Sequence, residues 1–288
     1  MLDYHLHLWP HGQKATQATV DELAAYCARA AAAGVTEIAL TEHLFRFDQA
    51  DAALGGWWED EPDVRLRDEM ARYWQDHVSA DLDAYVDVCL AAKAAGLPVV
   101  LGLEVDYYRG RMDKVAALLD GYPFDVLLGS VHWLGTWMFD DLSSAVAMGE
   151  WDARRVDDVW DAYTTSLEEL AASRAVDVLA HPDLCKVTGR RPAVPDEWYA
   201  RMAEAAAASG VAAEVSSAGW RKPAGEEYSP PALLSRFHAL GVPVTTASDA
   251  HRLSEVADRS GDLRGLVAAA GYGELCAFSG RRPRPVSL

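Results

Sequence analysis

Two histidines separated by one residue, His5-Leu6-His7, close a short apolar run from Met1 to Tyr4 at the start of a 288-residue chain. Residues two apart in a strand point to the same side, so this spacing presents two imidazoles in one direction, a bidentate grip for a metal ion. Other histidines follow the same habit. Seven of the nine, His5, His7, His11, His43, His132, His181 and His251, lie at or near the ends of β-rich runs, whereas His77 and His238 fall inside helical patterns. Two carboxylates, Glu104 and Asp249, stand at such ends as well. Imidazole with carboxylate suits zinc, iron or manganese. Nine ligands exceed what one tetrahedral ion uses, so the set implies two or three divalent ions.

The elements that must gather these residues appear as an alternation. Short apolar runs begin at Met1, Thr36, Leu97, Phe124, Val176, Val211 and Val242, and helical patterns over 19–33, 79–95, 112–119, 156–173, 196–209 and 230–240 lie between or beside them. Gly34 and Gly96 stop the first two helices. Strands that alternate with helices argue a parallel sheet, and polar motifs placed just after each strand argue a barrel whose site lies at the strand C-termini. In a barrel those ends converge, so residues distant in sequence meet around one pocket. The expectation is an α/β fold with one domain over residues 1–288. Within it, residues 44–78, weakly periodic and containing Trp57, Trp58 and Trp74, are expected to form a loop or partly helical lid. The Pro- and Arg-rich segment 280–288 reads as a plain terminus.

The formal net charge of -18 repels polyanions at long range and argues against nucleic acid as a partner, though not against a small phosphate ester met by a local cluster of cations. The four cysteines, Cys27, Cys89, Cys185 and Cys276, are isolated, as reduced thiols in a cytoplasmic protein would be. No run of eighteen apolar residues occurs, so no membrane partner is expected.

Six motifs in order, His5-Leu-His7, Thr41-Glu-His43, Gly102-Leu-Glu104-Val-Asp106-Tyr, Gly129-Ser-Val-His132, Ala180-His181-Pro-Asp183-Leu and Ser248-Asp249-Ala-His251-Arg252, resemble those of the PHP (polymerase and histidinol phosphatase) superfamily. The segments running from Leu103 to Trp133 and from Ala218 to Leu234 resemble its histidinol-phosphatases, enzymes of histidine biosynthesis. The resemblance implies a distorted (β/α)7 barrel with a trinuclear site. His5, His7, Glu104 and Asp249 would hold one ion, Glu104 as a bridge with His132 and His181 a second, and His11, His43 and His251 a third. The chain departs from its relatives at His11, which follows His7 by four residues where they have a longer gap.

Such a site would hydrolyse L-histidinol phosphate, with Glu104, Asp249 and His251 at the reacting centre. Two ions sharing a carboxylate lower the pKa of a water, and neighbouring cations neutralise the phosphoryl oxygens. Arg221 and Lys222 are the expected phosphate contacts, with Arg252 and the Arg190-Arg191 loop behind them. Asp106, two residues beyond Glu104, is expected to orient a ligand histidine or to meet a substrate ammonium. The competing expectations are a nuclease or nucleotide phosphoesterase of the same superfamily, which the acidic balance disfavours, and a non-catalytic module, which would have lost ligands.

Overall fold

In the computed structural model, which describes residues 1–288, the seven apolar runs become seven parallel strands in a single sheet with sequential order. β1 (Leu2–Leu6), α1 (Val20–Ala32) and β2 (Glu37–Leu40) come first, and α2 (Asp48–Leu54), α3 (Val64–His77) and α4 (Leu82–Ala94) precede β3 (Val99–Asp106). α5 (Met112–Leu119) leads to β4 (Val126–Ser130), and α6 (Ala145–Ala153) and α7 (Val156–Ser173) lead to β5 (Val178–Leu179). α8 (Asp196–Ser209), β6 (Ala212–Ser216), α9 (Pro231–Ala239) and β7 (Val244–Ala247) complete the sheet, and α10 (Ser260–Ala269) and the hairpin β8 (Glu274–Ser279) with β9 (Arg282–Ser287) follow. Strands covered on both faces carry apolar side chains almost throughout, which is why these runs show little alternation.

The sheet closes on itself where β7 meets β1, and the seam is held largely by side chains. One backbone hydrogen bond runs from His7 N to Ala250 O (2.8 Å). The buried carboxylate of Asp3 accepts from Ser248 N (2.7 Å), Ser248 Oγ (2.7 Å) and Ala257 N (2.8 Å). Burial lifts this carboxyl to about 6 against the opposing pull of its hydrogen bonds. The sparse ladder at this seam is the distortion in the barrel, and it leaves the segment after β7 free to turn its side chains into the mouth.

Residues 44–78, expected as a loop or partly helical lid, carry two helices, α2 and α3. Asp63 caps α3 by accepting from Arg65 N (2.9 Å), and Leu66, Met70, Trp74 and His77 form a buried stripe at helical spacing. Trp74 donates through Nε1 to Asp51 (2.7 Å), tying α3 to α2, and its ring packs on Trp58 (5.2 Å between centroids). The Trp- and Arg-rich composition hid a regular stripe. α6 and α10 were not foreseen either.

The C-terminal segment is no loose terminus. β8 and β9 pair antiparallel and cover the N-terminal end of the barrel: Phe278 N donates to Tyr4 Oη (3.2 Å), Gly280 N to Asp125 Oδ1 (3.1 Å), and Arg281 pairs with Asp177 (3.0 Å). Pro283 and Pro285 sit in β9, an edge strand where a missing N–H is tolerated. The four cysteines are buried and unpaired. No helix is long and apolar enough to cross a membrane.

Asp125 joins this cover to the sheet, since its other oxygen accepts from Leu101 N (3.0 Å) and also meets Lys93. Asp125→Ala leaves a buried backbone donor without a partner, a loss of about 1–3 kcal/mol. A thermal melt beside the wild type measures it, and an unchanged midpoint contradicts the anchoring role.

Candidate metal centre

Glu104 lies in β3 two residues before its end, 1% exposed, with its backbone N–H bonded to Glu42 O (3.0 Å). Its two carboxylate oxygens face different partners. Oε2 lies 3.3 Å from His5 Nε2, 3.5 Å from His7 Nε2 and 2.7 Å from His43 Nδ1. Oε1 lies 3.3 Å from His132 Nε2 and 3.0 Å from His181 Nε2. Asp249 Oδ1 joins the first group, 3.6 Å from His7 Nε2 and 3.9 Å from His5 Nε2. Burial would raise the Glu104 carboxyl, but His5, His43 and His132 hold it well below the usual carboxylate range. Burial likewise opposes charge on His5, yet Glu214, Glu104 and Asp249 drive its pKa well above the ordinary imidazole value.

These donor atoms fit metal ions better than they fit one another. His5 Nε2, His7 Nε2, His43 Nε2, His251 Nε2 and Glu104 Oε2 are buried and form no hydrogen bond. A tetrahedral ion about 2.1 Å from each ligand sets those ligands roughly 3.4 Å apart. The separations of 3.3, 3.5 and 3.6 Å around Glu104 Oε2 and Asp249 are of that size. Ligand atoms gather within 4.8 Å in four groups: His5 with Glu104 and His181, His5 with His7 and Asp249, His7 with His43 and His251, and His43 with Asp106 and His132.

A second ring of carboxylates holds the imidazoles. Glu214 Oε2 meets His5 Nδ1 at 2.8 Å, and its Oε1 accepts from His181 N at 3.2 Å. Asp106 Oδ1 meets His132 Nδ1 at 2.6 Å, the contact an orienting carboxylate would make. Glu42 accepts through Oε1 from Leu8 N and Trp9 N (2.9 Å for the latter), with Oε2 3.6 Å from His7 Nδ1. The fully buried Arg46 then ties the loop to this end of the barrel, donating to Trp9 O, Pro10 O and Gln13 O. Glu214 and Asp106, within hydrogen-bond distance, leave the far nitrogens of His5 and His132 to face the centre. Glu214 was missed from sequence, although a lone acid in the apolar run Ala212 to Val215 was its signal. Glu42 was seen in its motif and given no role.

The remaining expected residues divide. His251 stacks on His7 (4.2 Å between centroids), so His43 and His251 gather round His7. His11, on the turn at Pro10 to Gln13, is exposed and lines the cleft beside the centre, its ring 4.0 Å from His251 and 5.3 Å from His43. It joins none of the four groups. A cleft of about 340 Å³ beside the centre is lined by Glu104, His132, His181, Asp249, His251, Lys222, Arg252 and Arg221. Arg221 is already engaged, with Asp258 (2.9 Å), Ser248 O (2.7 Å) and Asp249 O (3.0 Å), so it braces the Asp249 turn. Arg190 is not in the cleft: it bonds Trp151 O (2.7 Å) and Asp152 (2.6 Å) on α6, an element absent from the expectation. No residue of 44–78 lines the cleft. The insertion instead forms a packed wall on this face, with Phe45 stacked on His43 (4.7 Å) and Trp57 against Trp133 (5.4 Å).

A PHP domain match spans residues 3–218. The chain belongs to the PHP domain family. A probable histidinol-phosphatase of Deinococcus radiodurans is 34% identical over 193 residues, covering 67% of this chain and 72% of that protein. The crystal structure of histidinol phosphate phosphatase from Lactococcus lactis subsp. lactis, complexed with zinc, L-histidinol and phosphate, has the same fold. It superimposes with a TM-score of 0.68 and 19% identity over 98% of each chain. The PHP fold of this chain is thus a seven-stranded barrel with the histidine-rich centre at the C-terminal ends of its strands.

Glu214→Gln keeps the shape of the orienting side chain and removes its charge. Metal affinity is expected to fall roughly 10- to 100-fold with the fold retained. Titration against a competing chelator reads this, and unchanged affinity contradicts an orienting role for Glu214.

Proposed function

We propose that this chain is a metal-dependent phosphomonoesterase that hydrolyses L-histidinol phosphate to L-histidinol and phosphate. The observation that carries the reading is Glu104, one carboxylate whose two oxygens face two separate imidazole groups beside an open cleft. The names of the Deinococcus and Lactococcus proteins support the substrate. His5, His7, Glu104 and Asp249 would hold one ion, Glu104, His132 and His181 a second, and His43 and His251 a third, with His11 beside them at the rim. Zinc is the first choice because the Lactococcus protein is complexed with it, and iron or manganese would accept the same ligands.

Divalent ions in these positions supply Lewis-acid charge for the phosphoryl oxygens and lower the pKa of a water toward neutrality. The chain does the rest. Glu214 and Asp106 would hold His5 and His132 in place by their far ring nitrogens, so little reorganisation is needed as charge develops. Lys222 and Arg252 line the cleft with no carboxylate partner of their own and are the cations free to meet phosphate. The same site would leave L-histidinol as the alcohol product.

Phosphate release from L-histidinol phosphate, measured beside a nucleotide and a short oligonucleotide, tests the assignment; turnover of the nucleotide or oligonucleotide at equal efficiency sinks it. Glu104→Gln is expected to lower kcat by orders of magnitude together with metal content, and full metal content with full activity contradicts the bridge.

Lys222→Ala and Arg221→Ala separate two roles. Lys222→Ala is expected to cost roughly 10- to 100-fold in kcat/KM with metal retained. Arg221→Ala releases the backbone of Ser248 and Asp249 and is expected to lose metal as well as activity. Elemental analysis of both variants decides, and a metal-replete, slow Arg221→Ala would return Arg221 to the phosphate.

A further inference from the structure

The cleft holds four carboxylates, Glu104, Asp140, Asp249 and Glu255. Three are occupied: Glu104 and Asp249 face the imidazoles, and Glu255 Oε2 accepts from His251 N (3.0 Å). Asp106, the sequence candidate for a substrate ammonium, is spent on His132. Asp140 takes part in no side-chain hydrogen bond or ion pair, yet its carboxylate faces the cleft from a loop built to be rigid. That loop leaves β4 and is pinned by three indoles. Trp133 Nε1 donates to Tyr107 O (3.0 Å), Trp137 Nε1 to Ala147 O (3.1 Å), and Trp151 Nε1 to Phe139 O (2.7 Å), the residue next to Asp140. Phe139 is fully buried against Tyr163 (5.6 Å). The same cleft is lined by Tyr228, also fully buried, whose hydroxyl has no partner.

We propose that Asp140, with the Tyr228 hydroxyl as a second acceptor, forms the subsite that binds the ammonium group of the substrate and so sets the preference for an amino-alcohol phosphate. This rests on the histidinol-phosphate reading and deepens it. An ester that carries both a phosphate dianion and an ammonium needs cations and an anion in one cleft, and Lys222, Arg252 and Asp140 are the charged groups there without other hydrogen-bond or ion-pair partners. The loop fixes the carboxylate before the ligand arrives, so binding orders little. When the amine is missing, the carboxylate faces an apolar chain and loses the cation it is placed to meet, which penalises the wrong ester.

The test compares L-histidinol phosphate with its deamino analogue, the same ester carrying hydrogen in place of the ammonium, on the metal-loaded enzyme. Asp140→Asn is expected to lower kcat/KM for L-histidinol phosphate roughly 10- to 100-fold and to change that for the deamino ester by less than about threefold. Asp140→Ser should do the same, and Asp141→Asn, on a neighbour bonded to Ser143, serves as control. Tyr228→Phe is expected to give a smaller loss in the same direction. Equal losses on both esters, or no loss on either, overturn the subsite while leaving the phosphatase assignment standing. A wild-type enzyme that treats the two esters alike overturns the subsite and the histidinol-phosphate reading together.

Discussion

An ionised carboxylate deep in a protein costs several kcal/mol unless charge or strong hydrogen bonds surround it. Glu104, in the interior end of β3, meets five imidazoles, and the convergence of four other strand ends, those of β1, β2, β4 and β5, on that one side chain is what the barrel accomplishes. Removing the carboxylate would leave buried imidazoles crowding one another. Two residues of the centre, His181 (φ 29°) and Asp249 (φ 51°), hold left-handed backbone that side chains other than glycine disfavour. Their neighbours stabilise it. Tyr163 Oη donates to His181 O (3.2 Å), Glu214 accepts from His181 N, and Arg221 donates to Asp249 O.

The two ends of the barrel divide the work of stability and chemistry. At the N-terminal end, Asp125, Asp177 and Glu37 meet the β8–β9 hairpin through backbone donors and arginines, closing the core where the strands begin. At the C-terminal end, carboxylates of the same type face imidazoles, and the segments after the strands carry the functional side chains, as in other parallel barrels. Asp3 belongs to both, since it closes the β7–β1 seam and in doing so positions Ser248, next to Asp249.

The seven strands and most of the site were legible because both obey a short-range rule: an apolar run is followed directly by its ligand. Val156–Ser173 and Asp196–Ser209 were legible to the residue, since each shows clear apolar periodicity. What escaped depends on contacts between distant segments. Glu214 points inward from the middle of a strand, and its role exists because His5 and His181 arrive beside it. Asp140 stands in a loop whose shape comes from three tryptophans, with no local spacing to announce it. Arg190 stands outside the cleft and Arg221 lines it while bonded to the Ser248 and Asp249 carbonyls, because a cation near a motif is as readily used to brace backbone as to meet phosphate. Pro283 and Pro285 made β9 look like a tail, and only its edge position reconciles them with a strand.

The bridging position of Glu104 is most directly tested by anomalous diffraction at the zinc edge from crystals of the zinc-loaded protein. Two maxima flanking the Glu104 carboxylate are expected, each about 2.0–2.2 Å from one of its oxygens, one reached by His5 and His7 and the other by His132 and His181. A single maximum, or ions bound by the histidines with Glu104 turned away from both, would contradict it.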